Sequence, residues 1–269
     1  MILIENITVE NIPVLHVAQK EKYNEKLPFI IFVHGFESTK EKNLHYAYLL
    51  AEKGFRVVLP EAIHHGQRST GLSEKEINLH FWDIVLNTIY ELEILKNDFD
   101  NKQLIDTEKI GLAGTSMGGI VTLGALTQFS WIKSAVCLMG MPYYEQFSQF
   151  QLKQFKNSGM NIPFNDKEVE SVLEKVRKYD LSIQTEKLAG RPLLFWHGEK
   201  DEVVPYSYTY HFYESIRPLY ADAPEKLQFI SDKKAGHKVS HEGVVNLVSW
   251  FQKYLPQSNM MEITSSLKG

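Results

Sequence analysis

Cysteine is nearly absent from this sequence. A single cysteine in 269 residues excludes an intramolecular disulfide and a cysteine-based metal site. Long apolar runs are absent too, since none approaches the length of a membrane span. The first seven residues contain an early glutamate and no basic residue, so we expect no secretory signal peptide. Together these features predict a soluble, cytoplasmic protein.

The chain also lacks an excess of basic charge. It has 29 Lys and Arg against 33 Asp and Glu, for a formal net charge of −4. This balance gives no electrostatic footprint for nucleic acid or for an anionic membrane, and we expect neither as a partner. The length and the 43% hydrophobic content suit one large α/β domain or two small domains. Composition leaves the oligomeric state open.

Apolar runs alternate with helical patterns along the chain. The continuous run at 27–33 is typical of a strand buried on both faces of a parallel sheet. The alternation predicts an α/β fold with a doubly wound, mostly parallel sheet. The other predicted strands lie at 12–18, 55–60, 110–113, 134–139, 192–198 and 226–230.

Local signals predict where some elements lie and end. Pro13 suits an edge strand, because proline donates no hydrogen bond to a neighbouring strand. A capping box at Ser38 predicts a helix to about residue 53, and another at Ser73 predicts a long helix to about residue 97.

One interval breaks the alternation. About fifty residues without a strand pattern separate residue 139 from residue 192, far more than a usual connection. Helical patterns occur there near 144–156 and 166–179. We interpret the interval as a helical cap inserted into a single domain. The predicted division is 1–140 and 191–269 for the core and 141–190 for the cap.

The pattern G-x-S-x-G occurs at Gly114-Thr115-Ser116-Met117-Gly118, after an apolar run and before a helical one. A strand that turns directly into a helix brings two backbones together, so a side chain at either glycine would clash. The serine then occupies the apex with its hydroxyl pointing outward. A serine that serves only a tight turn is the simpler interpretation, but the strand before it and the helix after it favour a nucleophile.

A serine hydroxyl is a poor nucleophile near neutral pH, so it needs a base and the base needs an orienting acid. The expected chain order for this elbow is Ser, acid, His. Asp201 follows the strand that ends at Gly198, which places its carboxylate at the same sheet edge as Ser116. Glu199 and Glu202 are alternatives, but the shorter Asp201 holds an imidazole with less entropy loss.

The base candidate is His237, between the last predicted strand and the last helix. His241 is the alternative, and the loop position favours His237. The expected oxyanion-hole donors are the backbone amides of Met117, directly after the serine, and Phe36, after an earlier strand. Gly35 would let that backbone turn toward the site.

These residues resemble the α/β-hydrolase superfamily over nearly the whole chain. Within it they look like bacterial esterases related to dienelactone hydrolases and to the catalytic domain of prolyl oligopeptidases. The matching segments are 34–36, 114–119, 197–205 and 236–237.

The residues and the resemblance together predict a serine hydrolase that cleaves small-molecule carboxylic esters through an acyl-enzyme, with no cofactor or metal. A small-peptide hydrolase, a thioesterase or an acyltransferase with the same triad is the alternative. A non-catalytic binding module is a further one, against which the intact Ser, Asp and His positions argue.

The resemblance has two departures. The loop at 60–69 is similar to a family loop that reads Asp-x-x-Gly-His-Gly-x-Ser, but Glu61 replaces the usual Asp and His64 the usual Gly. Dienelactone hydrolases use a cysteine nucleophile, whereas this chain has Ser116, so dienelactone activity is not implied. The adjacent His64 and His65 do not predict a metal site, because no H-E-x-x-H pattern accompanies them.

Three residues are candidates for the substrate pocket. Tyr143 and Phe147 belong to an aromatic stripe at helical spacing in the cap, together with Phe150. Packing of the cap onto the core explains such a stripe, and a pocket for an acyl or alcohol group is the functional alternative. His34 is the third candidate, although packing or hydrogen bonding behind the oxyanion loop is the simpler role. Cys137 lies within a predicted strand and suits a small core residue.

Overall fold

The computed structural model describes residues 1–157 and 165–257. Eight strands of the described chain form one sheet: β1 (Ile2–Val9), β2 (Ile12–Gln19), β3 (Leu27–Val33), β4 (Arg56–Pro60), β5 (Ile105–Thr115), β6 (Ser134–Leu138), β7 (Leu193–Gly198) and β8 (Leu227–Asp232). Their order across the sheet is β1-β2-β4-β3-β5-β6-β7-β8. The pairs from β4 through β8 are parallel, and β2 pairs antiparallel with both β1 and β4. The predicted mostly parallel α/β sheet is confirmed.

Helices cover both faces of this sheet. Their bounds are α1 (Leu44–Glu52), α2 (Glu74–Leu79), α3 (Phe81–Asn101), α4 (Met117–Gln128), α5 (Tyr144–Asn157), α6 (Asp166–Arg177), α7 (Tyr206–Ile216) and α8 (His241–Tyr254). No helix in the described ranges combines the length and the apolar character that a membrane span requires.

The central strand β3 shows why its sequence is apolar throughout. Phe29, Ile31 and Val33 pack into the core beneath α3 and α4. The alternate residues Ile30 and Phe32 pack into a second core beneath α1 and α8. Successive side chains of a strand point to opposite faces, so a sheet covered on both faces buries them all. This burial fixes the strand whose carboxyl end leads into the candidate site.

Two strand predictions differ from the structure. The N-terminal residues form β1, which the sequence pattern did not predict because only one of its eight residues is buried. The edge position predicted from Pro13 is wrong, since β1 covers β2 and pairs Thr8 with Pro13. Proline is tolerated there because the pairing of β2 with β4 begins only at Val14.

The two capping boxes have different outcomes. The one at Ser73 is confirmed, with the Glu76 amide 3.4 Å from the Ser73 hydroxyl and the Ser73 amide 2.8 Å from the Glu76 carboxylate. The helix that follows is interrupted at His80, so α2 and α3 replace one long helix. The capping box at Ser38 is wrong. A short 3₁₀ turn precedes α1, and the Ser38 hydroxyl accepts from the Asn43 side chain at 3.1 Å instead.

The interval between β6 and β7 contains α5 and α6, and no strand lies in its described part. Tyr144 anchors α5 by donating from its buried hydroxyl to the Ile120 carbonyl of α4 at 2.6 Å. The indole of Trp82 in α3 donates to Gln151 of α5 at 2.9 Å. Thus α5 packs on α3 and α4. Residues 158–164 of the predicted cap lie outside the described residues.

Candidate active site

Ser116 occupies a sharp turn between β5 and α4. Its backbone has φ 53° and ψ −114°, a strained combination for a residue with a side chain. The Ser116 amide is held by the Leu138 carbonyl at 2.9 Å. A Cβ atom at Gly118 would lie 2.1 Å from the Val33 carbonyl oxygen, and one at Gly114 would lie 2.4 Å from the Gly118 backbone. Both glycines are therefore required by the close approach of strand and helix.

A chain of two hydrogen bonds leads away from this serine. Nε2 of His237 lies 2.8 Å from Oγ of Ser116, and Nδ1 of His237 lies 2.7 Å from Oδ2 of Asp201. Asp201 follows β7, and His237 lies in the loop between β8 and α8. An ionised Asp201 accepts a hydrogen bond from Nδ1–H of His237, which leaves the lone pair of Nε2 free to accept the serine hydroxyl proton.

The carboxylate of Asp201 is fully buried and well supplied with donors. Its Oδ1 accepts from the amides of Val203 and Val204, both at 2.9 Å. Its Oδ2 lies 3.2 Å from Nε2 of the buried His197. Burial alone would raise the pKa of this carboxyl, but the hydrogen bonds from His197, His237 and the Val204 amide together hold the pKa well below its ordinary value. Asp201 is therefore ionised at neutral pH.

The alternatives weighed from the sequence occupy different positions. The side chains of Glu199 and Glu202 are exposed, whereas Asp201 between them points inward. His241 begins α8 and is exposed. The structure therefore brings Asp201 and His237, rather than these three residues, to Ser116.

The loop after β3 passes directly beside the serine. A Cβ atom at Gly35 would lie 3.3 Å from the Thr115 carbonyl oxygen and 3.4 Å from Cβ of Ser116. Among the described residues, no acceptor pairs with the backbone N–H of Phe36 or of Met117. The N–H of Met117 is one of the unpaired donors that open a helix. Two unpaired amides next to a serine hydroxyl can bind a developing negative charge.

His34 lies behind this loop rather than in a pocket. It is 1% exposed, its Nδ1–H donates to the Gly35 carbonyl at 2.8 Å, and its Nε2 accepts from the Ala62 amide at 3.1 Å. Burial lowers the pKa of His34 to about 4. The Gly35–Phe36 peptide is trans, so fixing its carbonyl also fixes its N–H in the opposite direction. His34 is therefore buried behind the loop and fixes the peptide that carries the Phe36 amide, and its place among the pocket candidates stays a prediction.

A buried ion pair lies beside His34. Glu61 and Lys40 are both fully buried, and the Lys40 ammonium lies 3.1 Å from the Glu61 carboxylate. The Lys40 amide donates to the same carboxylate at 3.2 Å. Gly66, with φ +45°, leaves the room that Glu61 occupies, because a Cβ there would lie 2.1 Å from Glu61 Oε2. The loop at 60–69 is thus tied to the segment that follows Phe36.

Sequence reasoning missed Lys40 and His197. No local pattern marks a loop lysine that becomes fully buried, because its partner Glu61 is brought to it by a different strand. His197 lies in the same segment, 197–205, as the acid candidate Asp201. Its position near the carboxyl end of β7, four residues before Asp201, was the sequence feature that could have indicated a contact with this carboxylate.

The other two pocket candidates lie on the α5 side of the site. Tyr143 is partly buried and contacts the rings of Tyr208 and Phe212, each with centroids 6.1 Å apart. Phe147 contacts the Phe81 ring at 6.0 Å, and Phe81 contacts the Phe36 ring at 5.5 Å. A mainly apolar pocket beside Phe147 is lined by Met141, Gln146, Phe147, Phe150, Pro205 and Tyr208.

Comparison with known proteins identifies the family of the chain. The family model described as the prolyl oligopeptidase family matches residues 93–258, which is more than half of the chain. The chain belongs to the prolyl oligopeptidase family. The match in this family spans the G-x-S-x-G elbow, Asp201 and His237.

Two relatives match over nearly the whole length of this chain. "Putative esterase YitV" of Bacillus subtilis is 52% identical over 95% of this chain and 100% of its own. "Esterase YjfP" of Escherichia coli is 27% identical, with the same shares covered. The solved structure of TT1662 from Thermus thermophilus superposes with a TM-score of 0.73 at 20% identity, over 96% of this chain and 99% of that one. At that identity the structure shows the shared α/β-hydrolase fold.

Proposed function

We propose that this chain is a serine hydrolase that cleaves carboxylic esters of small molecules, with Ser116, His237 and Asp201 as its catalytic triad. The observation that carries the proposal is the pair of hydrogen bonds of 2.8 and 2.7 Å that links these three side chains at a strained elbow. Two full-length relatives whose printed names contain the word esterase support the substrate class.

The first half of the reaction forms an acyl-enzyme. Oγ of Ser116 attacks the ester carbonyl carbon while Nε2 of His237 takes the hydroxyl proton. Asp201 keeps Nδ1–H of His237 in place and balances the charge of the imidazolium. The amides of Phe36 and Met117 donate to the oxyanion. The imidazolium then gives its proton to the departing alcohol oxygen as the carbon–oxygen bond breaks.

The second half repeats these steps with water. Nε2 of His237 removes a proton from a water molecule, whose oxygen attacks the acyl carbon. The same two amides hold the second oxyanion, and the proton returns to Oγ of Ser116 as the acid leaves. In each half of the reaction His237 takes up one proton and gives it away again, so its imidazole ends neutral.

The substrate would enter between the core and α5. Phe147 lines the mainly apolar pocket next to Pro205, in the loop that carries Asp201, and Tyr143 contacts the ring of Tyr208, which lines the same pocket. We assign these two side chains to binding of the acyl or alcohol group. In this proposal 1–140 and 191–269 form the catalytic core, and 141–190 is a helical cap that shapes the pocket.

Hydrolysis of small peptides or acyl-amides is a second candidate, because the family is described by a peptidase. The same triad attacks an amide carbonyl, but the leaving nitrogen needs protonation before it departs. Parallel assays with a p-nitrophenyl ester and the matching p-nitroanilide separate the two. A higher kcat/KM for the anilide would make the peptidase function the better description.

The test is Ser116→Ala, with Ser171→Ala on the exposed face of α6 as the matched control. We expect Ser116→Ala to lower kcat for short p-nitrophenyl esters by about 10⁴-fold or more and to abolish labelling by a fluorophosphonate. Ser171→Ala should leave both unchanged. Equal turnover and labelling in the two variants, with folding checked by circular dichroism, would remove Ser116 from the mechanism.

A further inference from the structure

His65 lies beneath the loop that presents the Phe36 amide. His65 is only 3% exposed, and its Nε2 accepts a hydrogen bond from the Glu37 amide at 3.1 Å. The Phe36 and His65 rings meet edge to face with centroids 5.4 Å apart. His65 therefore contacts both the residue that carries the proposed oxyanion donor and the next peptide unit.

The two ring nitrogens of His65 have different partners. Nδ1 lies 2.9 Å from the Ile63 carbonyl, which can only accept, so Nδ1 carries the proton. Nε2 faces an N–H, so it must offer a lone pair. Only the neutral Nδ1–H tautomer satisfies both contacts. Burial lowers the pKa of His65, against opposing effects of the Ile63 carbonyl, Glu61 and Glu37, which agrees with a neutral ring.

The loop needs such a support because its backbone is strained. Glu37 has φ +59°, a left-handed conformation that side-chain-bearing residues rarely adopt and that persists only where the surroundings hold it. On one side of Phe36, His34 fixes the Gly35 carbonyl at 2.8 Å. On the other side, His65 fixes the Glu37 amide at 3.1 Å. Phe36 is thus held between two neutral histidines.

We propose that His65 is a positioning residue for the reaction, and that its Nε2 keeps the Phe36 N–H directed at the oxyanion by holding the adjacent Glu37 amide. This inference rests on the proposed function, because the oxyanion exists only during acyl transfer. His65 touches no reacting atom. It acts through the backbone, so its loss weakens binding of the transition state and not of the ester.

Two substitutions separate the two hydrogen bonds of His65. In His65→Asn the side-chain amide nitrogen replaces Nδ1, which keeps a donor for the Ile63 carbonyl but removes the acceptor for Glu37. In His65→Gln the side-chain oxygen reaches the position of Nε2, which keeps that acceptor. The matched control is His64→Asn at the neighbouring position, where φ is +63° and asparagine is tolerated.

We expect His65→Asn to lower kcat by about 10- to 100-fold with KM changed less than about twofold, since one oxyanion donor is worth about 10²–10³ in kcat and here it is displaced, not deleted. The inhibition constant of phenylboronic acid, whose serine adduct puts an oxygen in the oxyanion hole, should rise by a similar factor. His65→Gln should recover most of the lost turnover, and His64→Asn should match the wild type. Equal turnover in His65→Asn and wild type, or equal losses in His65→Asn and His65→Gln, would overturn the proposal.

A measurement on the wild type covers the case in which His65→Asn does not fold. The ¹⁵N spectrum of the histidine rings should show His65 with a protonated Nδ1, an unprotonated Nε2 and a coupling across the hydrogen bond to the Glu37 amide. A protonated Nε2 would contradict the proposal. Failure of the esterase function itself is distinguished by Ser116→Ala, because only that failure leaves Ser116→Ala as active as the wild type.

Discussion

Oγ of Ser116 lies 2.8 Å from Nε2 of His237, although 121 positions separate the two residues in the chain. Ser116 follows β5 and His237 follows β8, and the intervening β6 and β7 place these two strands three positions apart in one parallel sheet. Because parallel strands end at the same edge, both side chains meet there. The loop after β7 lies between them and supplies Asp201.

Replacing the carboxylate of Asp201 tests its role in holding the imidazole. Asp201→Asn presents an amide that can donate to Nδ1 of His237 and so favours the tautomer with a proton on Nε2, which cannot accept from Ser116. We expect kcat for a short ester to fall by about 10⁴-fold near neutral pH. Steady-state kinetics with Glu199→Gln and Glu202→Gln as controls checks this, and both controls should stay within about twofold of wild type. A larger loss in either control than in Asp201→Asn would move the acid to that position.

Gly118 tests the close approach of strand and helix at the elbow. A Cβ there would lie 2.1 Å from the Val33 carbonyl oxygen, a backbone atom that cannot move aside alone. We expect Gly118→Ala to lower the free energy of unfolding by more than about 3 kcal/mol, or to prevent folding. Urea denaturation measures it, with Gly71→Asn as the control, because Gly71 has φ +74° and no atom within 4 Å of a Cβ. An unfolding free energy equal to wild type in Gly118→Ala would contradict the geometry.

The fold was predictable wherever one local pattern decides an element. The run at 27–33 became β3 because both sheet faces are covered, and the capping box at Ser73 became a helix start. Local patterns failed where distant contacts decide. Ser38 bonds to Asn43 in place of opening a helix, and Pro13 is covered by β1, a strand with only one buried residue.

The candidate site divides in the same way. The meeting of residues 116, 201 and 237 follows from their positions after strand ends, which the sequence displays. Their catalytic roles remain predictions that the variants above test. The supports of the Phe36 loop could not be predicted, because Lys40 lies in one loop and Glu61 and His65 in another, and these residues acquire their partners only through folding. The triad candidates can be recognised from local sequence patterns, whereas the residues that support the Phe36 loop are scattered along the sequence.

Cys137 should be inert in the folded protein. Cys137 lies in β6 and is 1% exposed. Burial raises the pKa of its thiol to about 12, so almost no thiolate forms at pH 8. We expect iodoacetamide at pH 8 to modify less than about a tenth of the native protein within an hour, and one site per chain in 6 M urea. Mass spectrometry measures both. Ester turnover should survive the treatment, and its loss together with rapid modification would point to a cysteine in the chemistry.

Acid should destabilise the fold partly through His16. His16 is only 2% exposed, and its Nε2 lies 2.6 Å from Nη1 of Arg56. Burial, reinforced by Arg56 and Lys102, lowers the pKa of His16 to about 3. In the unfolded chain its pKa returns to near 6.5. At a pH between these two pKa values the unfolded state binds a proton at His16 that the folded state does not bind, so the free energy of unfolding decreases as the pH falls.

The size of this effect follows from linkage. Each such histidine approaches a slope of about 1.4 kcal/mol per pH unit below pH 6. His34, whose pKa is lowered to about 4, adds to the slope over most of the same range. Urea denaturation at pH 7, 6 and 5 should therefore show a steady fall in the free energy of unfolding. His16→Gln, whose side-chain oxygen can still accept from Arg56, should have a slope shallower by about one proton. The exposed His211→Gln is the control, since it leaves His16 and His34 in place, and a slope reduced equally in both variants would show that His16 is not the group responsible.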